Sequence, residues 1–257
     1  MPEISIISPS LNMSTVVADC IRSVDQQENV AEHIIVDGHS LDGTVDLVLG
    51  IERTSNSELR IMKDAPEGIY SAVNAGILAS RAEIIGVLHA DDFYASADVL
   101  KRVAKVFEDE TIDACYGDLL YVDGADPTHI VRYWRAGKHD ERDFLHGWMP
   151  PHPTFFVRRK IYEQFGLYRT DLGTSADYEL MVRMMVKHKI KTTYIPHIMV
   201  HMRTGGLSNI SLRARFKANR MDRQSWKVNG MNPYPWTVIA KPLRKLIQWW
   251  IRPESVK

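Results

Sequence analysis

The segment Glu83-Ile84-Ile85-Gly86-Val87-Leu88-His89-Ala90 runs directly into two adjacent acids, Asp91 and Asp92. Its apolar run is too short for a helix and too continuous for a half-exposed strand, so it predicts a strand buried in a parallel sheet. In open α/β sheets ligands gather beyond the carboxyl ends of the strands, which is where these acids fall. Two side-by-side anions repel unless they share a cation, and oxygen ligation suits Mg²⁺ or Mn²⁺. Such ions commonly arrive with substrate phosphates. The plainer alternative is that Asp92 only caps a following helix or turn.

The flanking sequence repeats this logic. Strand signals at 4–8, 33–37, 59–63 and 84–88 alternate with helix signals at 16–24, 44–51, 69–79 and 99–107. That β-α-β-α order predicts an α/β fold with a mostly parallel sheet, flanked by helices and joined by right-handed crossovers. Past residue 110 the order loosens. Strands are expected at 114–120, 130–134, 192–195 and 198–202, and helices at 159–165 and 177–187. The stretch 135–153, rich in His, Trp, Gly and Pro, reads as a long functional loop. Arg158, Arg159 and Lys160 read as a solvated helix start, and Met181, Met184 and Met185 as core filler.

A chain of 257 residues with 45% hydrophobic and 25% charged content suits one soluble α/β domain with an appendage. Cys20 and Cys115 lie in apolar contexts without metal-type spacing and read as buried thiols of a reducing compartment. Pro2 and Glu3 lead straight into the first strand, with no leader pattern, and no run approaches the ~18 apolar residues of a membrane span. A cytoplasmic protein is expected, with no nucleic-acid partner. The formal net charge of zero conceals an asymmetry, because residues 211–257 carry 11 Lys and Arg against Asp222 and Glu254. Within that stretch Leu243, Leu246, Ile247, Trp250 and Ile251 follow i, i+3, i+4, i+7, i+8 spacing after Pro242. Lys241, Arg244, Lys245, Gln248 and Arg252 fall elsewhere around the helix, beside Trp249. This is the pattern of a basic amphipathic helical tail lying in a membrane interface. Packing on its own domain, or across a homodimer interface, is the alternative.

Two further strand ends carry polar residues. The first is Ser8-Pro9-Ser10-Leu11-Asn12, and the second is Asp37-Gly38-His39-Ser40-Leu41-Asp42-Gly43-Thr44. An acid at a strand end can accept from the N–H of a planar base, although Asp-Gly pairs alone are more often turns. No Gly-x-Gly-x-x-Gly follows the first strand and no Gly-x-x-x-x-Gly-Lys loop occurs, which disfavours a dinucleotide fold and an ATPase.

The ordered motifs Ile-Ser-Pro-Ser-Leu-Asn, Val-Asp-Gly-His-Ser-Leu-Asp-Gly-Thr, Glu-Gly-Ile-Tyr-Ser-Ala-Val-Asn-Ala-Gly and His-Ala-Asp-Asp resemble family 2 glycosyltransferases of the GT-A fold. The similarity continues through His152-Pro153-Thr154-Phe155-Phe156, Ser175-Ala176-Asp177-Tyr178-Glu179 and Gly205-Gly206-Leu207-Ser208, and is strongest with enzymes of bacterial surface polysaccharide synthesis. It implies a catalytic domain over 1–210, with a nucleotide-sugar half to about residue 100 and an acceptor half beyond it. Residues 211–257 would then be the tail.

The resemblance also implies roles. Ser8, Pro9, Asn12 and Asp37 would hold the nucleobase, with Gly68 and Asn74 near the nucleotide. Asp92 would be the firmer metal ligand and Asp91 would lie nearer the ribose, Ala90 standing where the family often has a third polar residue. His201 is a candidate further ligand to Mn²⁺ or Mg²⁺, and Arg203 a candidate diphosphate contact. Asp177 would be the general base, and Trp148 and His152 would meet acceptor or sugar, with core packing the alternative for Trp148; Glu179 is a further acceptor candidate whose alternative is a supporting role facing a neighbour. The expected partners are a nucleotide-sugar donor, a UDP-sugar, and a polyprenyl-diphosphate-linked glycan at the inner face of the cytoplasmic membrane. The rivals are a sugar-phosphate nucleotidyltransferase, disfavoured because Ser8 to Asn12 is not a Gly-rich, Arg-containing loop, and a non-catalytic scaffold.

Overall fold

The 84–87 run is buried at every position, as its uninterrupted apolar character requires. In the computed structural model, which describes residues 1–63, 67–205 and 212–237 with residues 240, 241 and 244, it lies inside a mixed sheet. The first half of the chain supplies β1 (Ile4–Ser10), α1 (Val17–Asp25), β2 (Val30–Asp37), α2 (Thr44–Gly50), β3 (Glu58–Met62), α3 (Ile69–Ala79) and β4 (Ile84–Val87). These strands stand in the order β3-β2-β1-β4, all parallel. Ser10 pairs with Asp37 and Ile7 with Val87, so three strands deliver their carboxyl ends to one edge.

The second half adds β5 (Phe93–Tyr94), α4 (Val99–Val106), β6 (Ala114–Val122), β7 (Ile130–Trp134), β8 (Phe156–Arg158), α5 (Arg159–Phe165), α6 (Ala176–Met181), β9 (Thr192–Arg203) and α7 (Leu212–Val228). The sheet continues from β4 through β8, β6 and β9 to β5, and β7 lies against β6. Here β8 is antiparallel to both neighbours, so the parallel character expected from the sequence belongs chiefly to the first half. Alternation along β1 feeds two cores. Ile7 faces α3 and α6 with Val73, Ile77, Leu180 and Met181, while Ile6 faces Cys20, Leu100 and Val103 on α1 and α4. Cys20 and Cys115 are both buried and free.

β5 and β8 were not foreseen, because two and three residues are too few to show a period. Three local expectations need correction. The two strands expected at 192–195 and 198–202 are one, because the register slips between Tyr116 and Asp118 and lets the exposed Pro196 ride on a bulge. Gly117 sits at that slip, where an added Cβ would collide with Met199. Arg158 is not solvated but 2% exposed, donating to the carbonyls of Ile112, Phe107 and Asp109 and pairing with Glu83. The chain past residue 210 also contributes to the body, since Trp226 is 1% exposed within the main core.

His33 is fully buried in β2, its Nε2 bonded to Ser8 Oγ at 2.9 Å. Burial, then the nearby Arg53 charge, holds its imidazole down at about 3. The unfolded side chain titrates near ~6.5, so His33 contributes stability that is complete above that pH and is lost as pH falls toward about 3. Urea unfolding at pH 7 and pH 5 should show the wild type losing up to about 2 kcal/mol more than His33→Gln over that interval.

Candidate active site

β4 ends at Val87, and the next five residues carry His89, Asp91 and Asp92 over the carboxyl edge. One ligand atom from each of these three lies within 4.8 Å of the others. Asp92 is fully buried, and its Oδ1 accepts from the backbone N–H of Arg203 at 3.2 Å. Its Oδ2, and the Nε2 of His89, are buried without a hydrogen-bond partner among the described residues. Burial, then the charge of Asp91, raises the Asp92 carboxyl well above the usual range. Burial holds the His89 imidazole down, against the opposing pull of Asp91 and Asp177. Unpaired polar atoms are costly to bury, and two carboxylates beside an imidazole nitrogen fit a divalent cation. The nitrogen donor suits Mn²⁺ better than Mg²⁺. His89 was not assigned a role from the sequence, although it stands in the His-Ala-Asp-Asp motif.

β9 flanks this loop. His201 pairs with Phe93 of β5, ring edge to ring face with centroids 5.1 Å apart, and is not part of the three-residue cluster. Burial holds its imidazole down. Arg203 is directed inward, donating from Nη1 to the Asp91 carbonyl at 2.8 Å and from Nη2 to Asp19 at 2.5 Å. Its guanidinium lies over the Phe93 ring. It pins the acidic loop to α1, a different task from the diphosphate contact expected of it. Gly206, Leu207 and Ser208 of the motif lie outside the described residues.

The β1–β2 corner is cross-braced. Both oxygens of the buried Asp37 accept from Ser40, at 2.9 Å from its N–H and 2.6 Å from its hydroxyl. Asn12, at φ +55°, donates its N–H to Ser40 Oγ and accepts from the Leu41 N–H. Pro9 pairs with Val36 one step inside the edge. Ser8 corrects the expectation, because it bonds His33 and Cys20 in the interior. Ser10, which sequence reasoning left unassigned, ends the strand opposite Asp37 with its hydroxyl buried and unpartnered among the described residues.

A chain of rings joins the acids to Asp177. Gly68, at φ +94°, precedes the first turn of α3. Tyr70 in that turn stacks on Tyr168 with centroids 5.3 Å apart and hydrogen-bonds Asp177. Burial, then the Asp177 charge, raises the Tyr70 hydroxyl well above its ordinary value. Tyr168 Oη bonds His152 Nε2 at 2.9 Å, and the His152 ring meets His89 edge-on at 5.7 Å. Asn74 is not open to a nucleotide, because its amide clasps the Tyr168 backbone, donating at 2.8 Å and accepting at 2.9 Å. Asp177 itself lies in the first turn of α6, its Oδ1 accepting from the Tyr178 N–H at 2.7 Å.

Of the acceptor candidates, Trp148 and Glu179 take their alternative roles, in packing and in support. Trp148 is 7% exposed, donates Nε1 to the Ala136 carbonyl at 2.9 Å and stacks on His139. Glu179 is 1% exposed, with its oxygens taken by Arg183 Nε and Nη2 at 2.9 Å each and by Asn229 at 2.9 Å. Both brace the walls of the site.

A helix-flanked sheet that carries paired acids on the loop after a central parallel strand is the GT-A arrangement of glycosyltransferases. Residues 5–166 match Glycosyl transferase family 2, and the chain belongs to that family. The PGL/p-HBAD biosynthesis glycosyltransferase of Mycobacterium bovis (strain BCG / Pasteur 1173P2) is 30% identical over 219 residues, covering 84% of this chain and 82% of that one. Among solved structures, S. aureus TarS 1-349 in complex with UDP superposes with a TM-score of 0.63 at 16% identity, over 87% of this chain and 65% of that one. The mannosyltransferase PcManGT from Pyrobaculum calidifontis, in complex with GDP-Man and Mn2+, gives 0.65 at 16% identity, over 93% and 69%. At these identities the likeness is one of fold.

Replacing Asp92 by Asn removes a buried carboxyl that lacks a full set of partners. The variant is expected to melt at or above the wild-type temperature while affinity for Mn²⁺ weakens at least about tenfold. Thermal melts and titration calorimetry measure the two arms.

Proposed function

We propose that this chain is a metal-dependent, inverting glycosyltransferase that moves a sugar from a UDP-sugar to a polyprenyl-diphosphate-linked glycan during surface polysaccharide assembly. The observation that carries the reading is the Asp92 oxygen, without a partner among the described residues, beside Asp91 and His89 at the carboxyl edge of the sheet. Asp91, Asp92 and His89 would hold the divalent ion, Mn²⁺ or Mg²⁺, which when bound neutralises charge on a departing diphosphate. His201 and Arg203 border that loop, His201 as a further candidate ligand. The GDP-Man and Mn2+ complex of PcManGT supports this donor chemistry, and the UDP complex of TarS supports the choice of nucleotide.

The roles follow from position. Asp37, Ser10, Pro9 and Asn12 form the corner offered to the base, and the Gly68 turn borders the sugar-nucleotide. An acceptor hydroxyl attacks the anomeric carbon from the face opposite the leaving group, and the bond from that carbon to the diphosphate oxygen breaks. Asp177 takes the hydroxyl proton as attack proceeds. One displacement inverts the centre. His152, held neutral at about 3 by burial and then by His89, is suited to hydrogen bonding without charge.

The tail supports a peripheral position at the inner face of the cytoplasmic membrane. No helix among the described residues is long and apolar enough to cross a membrane. Within the tail Tyr234 and Trp236 are exposed and stacked at 4.8 Å, an arrangement suited to a lipid interface. Lys241 and Arg244 turn toward Asp222 and Asp143 on the body. The apolar stripe of Leu243, Leu246, Ile247, Trp250 and Ile251 lies outside the described residues, as do Lys245 and Arg252.

Asp177→Asn is expected to cut transfer by about 10²–10⁴-fold while leaving Mn²⁺-dependent UDP binding intact, and equal turnover would remove Asp177 from the mechanism. A panel of UDP-, GDP- and dTDP-sugars, read by release of free nucleotide, tests the donor class. Removing residues 245–257 should abolish sedimentation with anionic liposomes while sparing transfer to a soluble acceptor. Undiminished liposome binding rules out the lipid role.

A further inference from the structure

The helix that carries Asp177 is short and irregular at both ends. α6 has six residues, follows a turn in which Gly173 takes φ +52°, and leaves through the wide π turn Val182–Lys187. So short a helix is marginal by itself, and what packs on it sets the place of its side chains. Both residues after Asp177 are gripped by chain from beyond residue 220. Tyr178 Oη accepts from Trp226 Nε1 at 3.0 Å, and Asn229 donates to Glu179. Lys241 Nζ lies 3.9 Å from the centre of the Tyr178 ring and pairs with Asp222 at 2.9 Å. The Lys241 and Asp222 side chains are only 16% and 8% exposed.

The segment bearing Lys241 is itself seated on the body. Thr237 is buried and donates to the Leu145 carbonyl at 2.7 Å, and Arg244 lies 3.5 Å from Asp143. Gly147, at φ +79°, leaves no room for a side chain beneath the backbone of Ala240 and Lys241. A buried ion pair gains little net stability over apolar residues of the same volume, because desolvation offsets the attraction. Its directional demand can nevertheless select one register of two packed segments.

We propose that Lys241 is a positioning residue for the reaction: paired with Asp222 on the face of Tyr178, it locks the turn bearing Asp177 and couples the base to the docked C-terminal segment. The inference rests on Asp177 being the base and extends it, because it gives Lys241 and Asp222 a part in turnover. Lys241 acts through Tyr178.

The test compares wild type with Lys241→Arg, Lys241→Met and the double variant Lys241→Met/Asp222→Asn, which leaves no unpaired buried charge and so protects the fold. Amide exchange across residues 176–181 needs no substrate. It should rise about fivefold or more in the double variant, with exchange in the sheet unchanged. With the donor found by the nucleotide-sugar panel, kcat should fall about tenfold while donor KM and Mn²⁺-dependent UDP binding hold, as expected for a misplaced base. Lys241→Arg should recover most of kcat. Unchanged exchange at 176–181, or unchanged kcat in the double variant, overturns the proposal, as does an equal loss of UDP binding. Failure of the base reading is distinguishable, since Asp177→Asn would then retain turnover whatever the exchange shows.

Discussion

The guanidinium of Arg203 is the tie on which the site depends. It reaches from the last residue of β9 to the Asp91 carbonyl and to Asp19 on α1, while its own backbone N–H serves Asp92. Three elements distant in sequence are thereby held around one buried carboxylate. The arrangement buries an acidic side chain fully and leaves one of its oxygens without a partner among the described residues. Such a group persists only where the surrounding packing over-determines it, and β4, β5 and β9 supply that packing.

The walls of the site are made by residues that look functional but act on other protein groups. Glu179 binds Arg183, whose guanidinium also caps the carbonyls of Gly166 and Leu167 where α5 ends. Trp148 holds the segment 135–137 through the Ala136 carbonyl, and Asp118 holds it too, accepting from Tyr133, Tyr194 and the Ala136 N–H. At the carboxyl edge, the Asp92 Oδ2, the His89 Nε2 and the Ser10 hydroxyl are the buried polar atoms left without a partner among the described residues. A rigid surround with few uncommitted groups is the arrangement expected of a preorganised site.

Much of this was legible in the sequence, for physical reasons. β1, β2 and β4 are buried runs with turn residues at their ends, so their positions and their shared edge could be read from hydrophobicity alone. α3 and β7 have the bounds expected, because their flanks change character abruptly. What escaped was whatever depends on distant partners. The triplet beginning at Arg158 looks solvated until β8 is seen to pair with both β4 and β6 and to carry that side chain inside. Glu179 and Asn229 meet across 50 positions, Asn74 and Tyr168 across 94, and no local pattern announces either. Ser8 and Ser10 are two apart on one strand; Ser8 is taken up by His33 and Cys20 while Ser10 stands at the edge, so only the register with Asp37 separates them.

The Asn74 amide has a consequence for biosynthesis of the chain itself. It is satisfied only by backbone that leaves the ribosome 94 residues later, and the Tyr70 ring beside it waits for the same strand of polypeptide. Closing so wide a loop is slow relative to local folding. A nascent chain that has completed β1 to β4 therefore still lacks this clasp, and the wall that Tyr70 and Tyr168 form beside Asp177 closes only after Tyr168 has emerged.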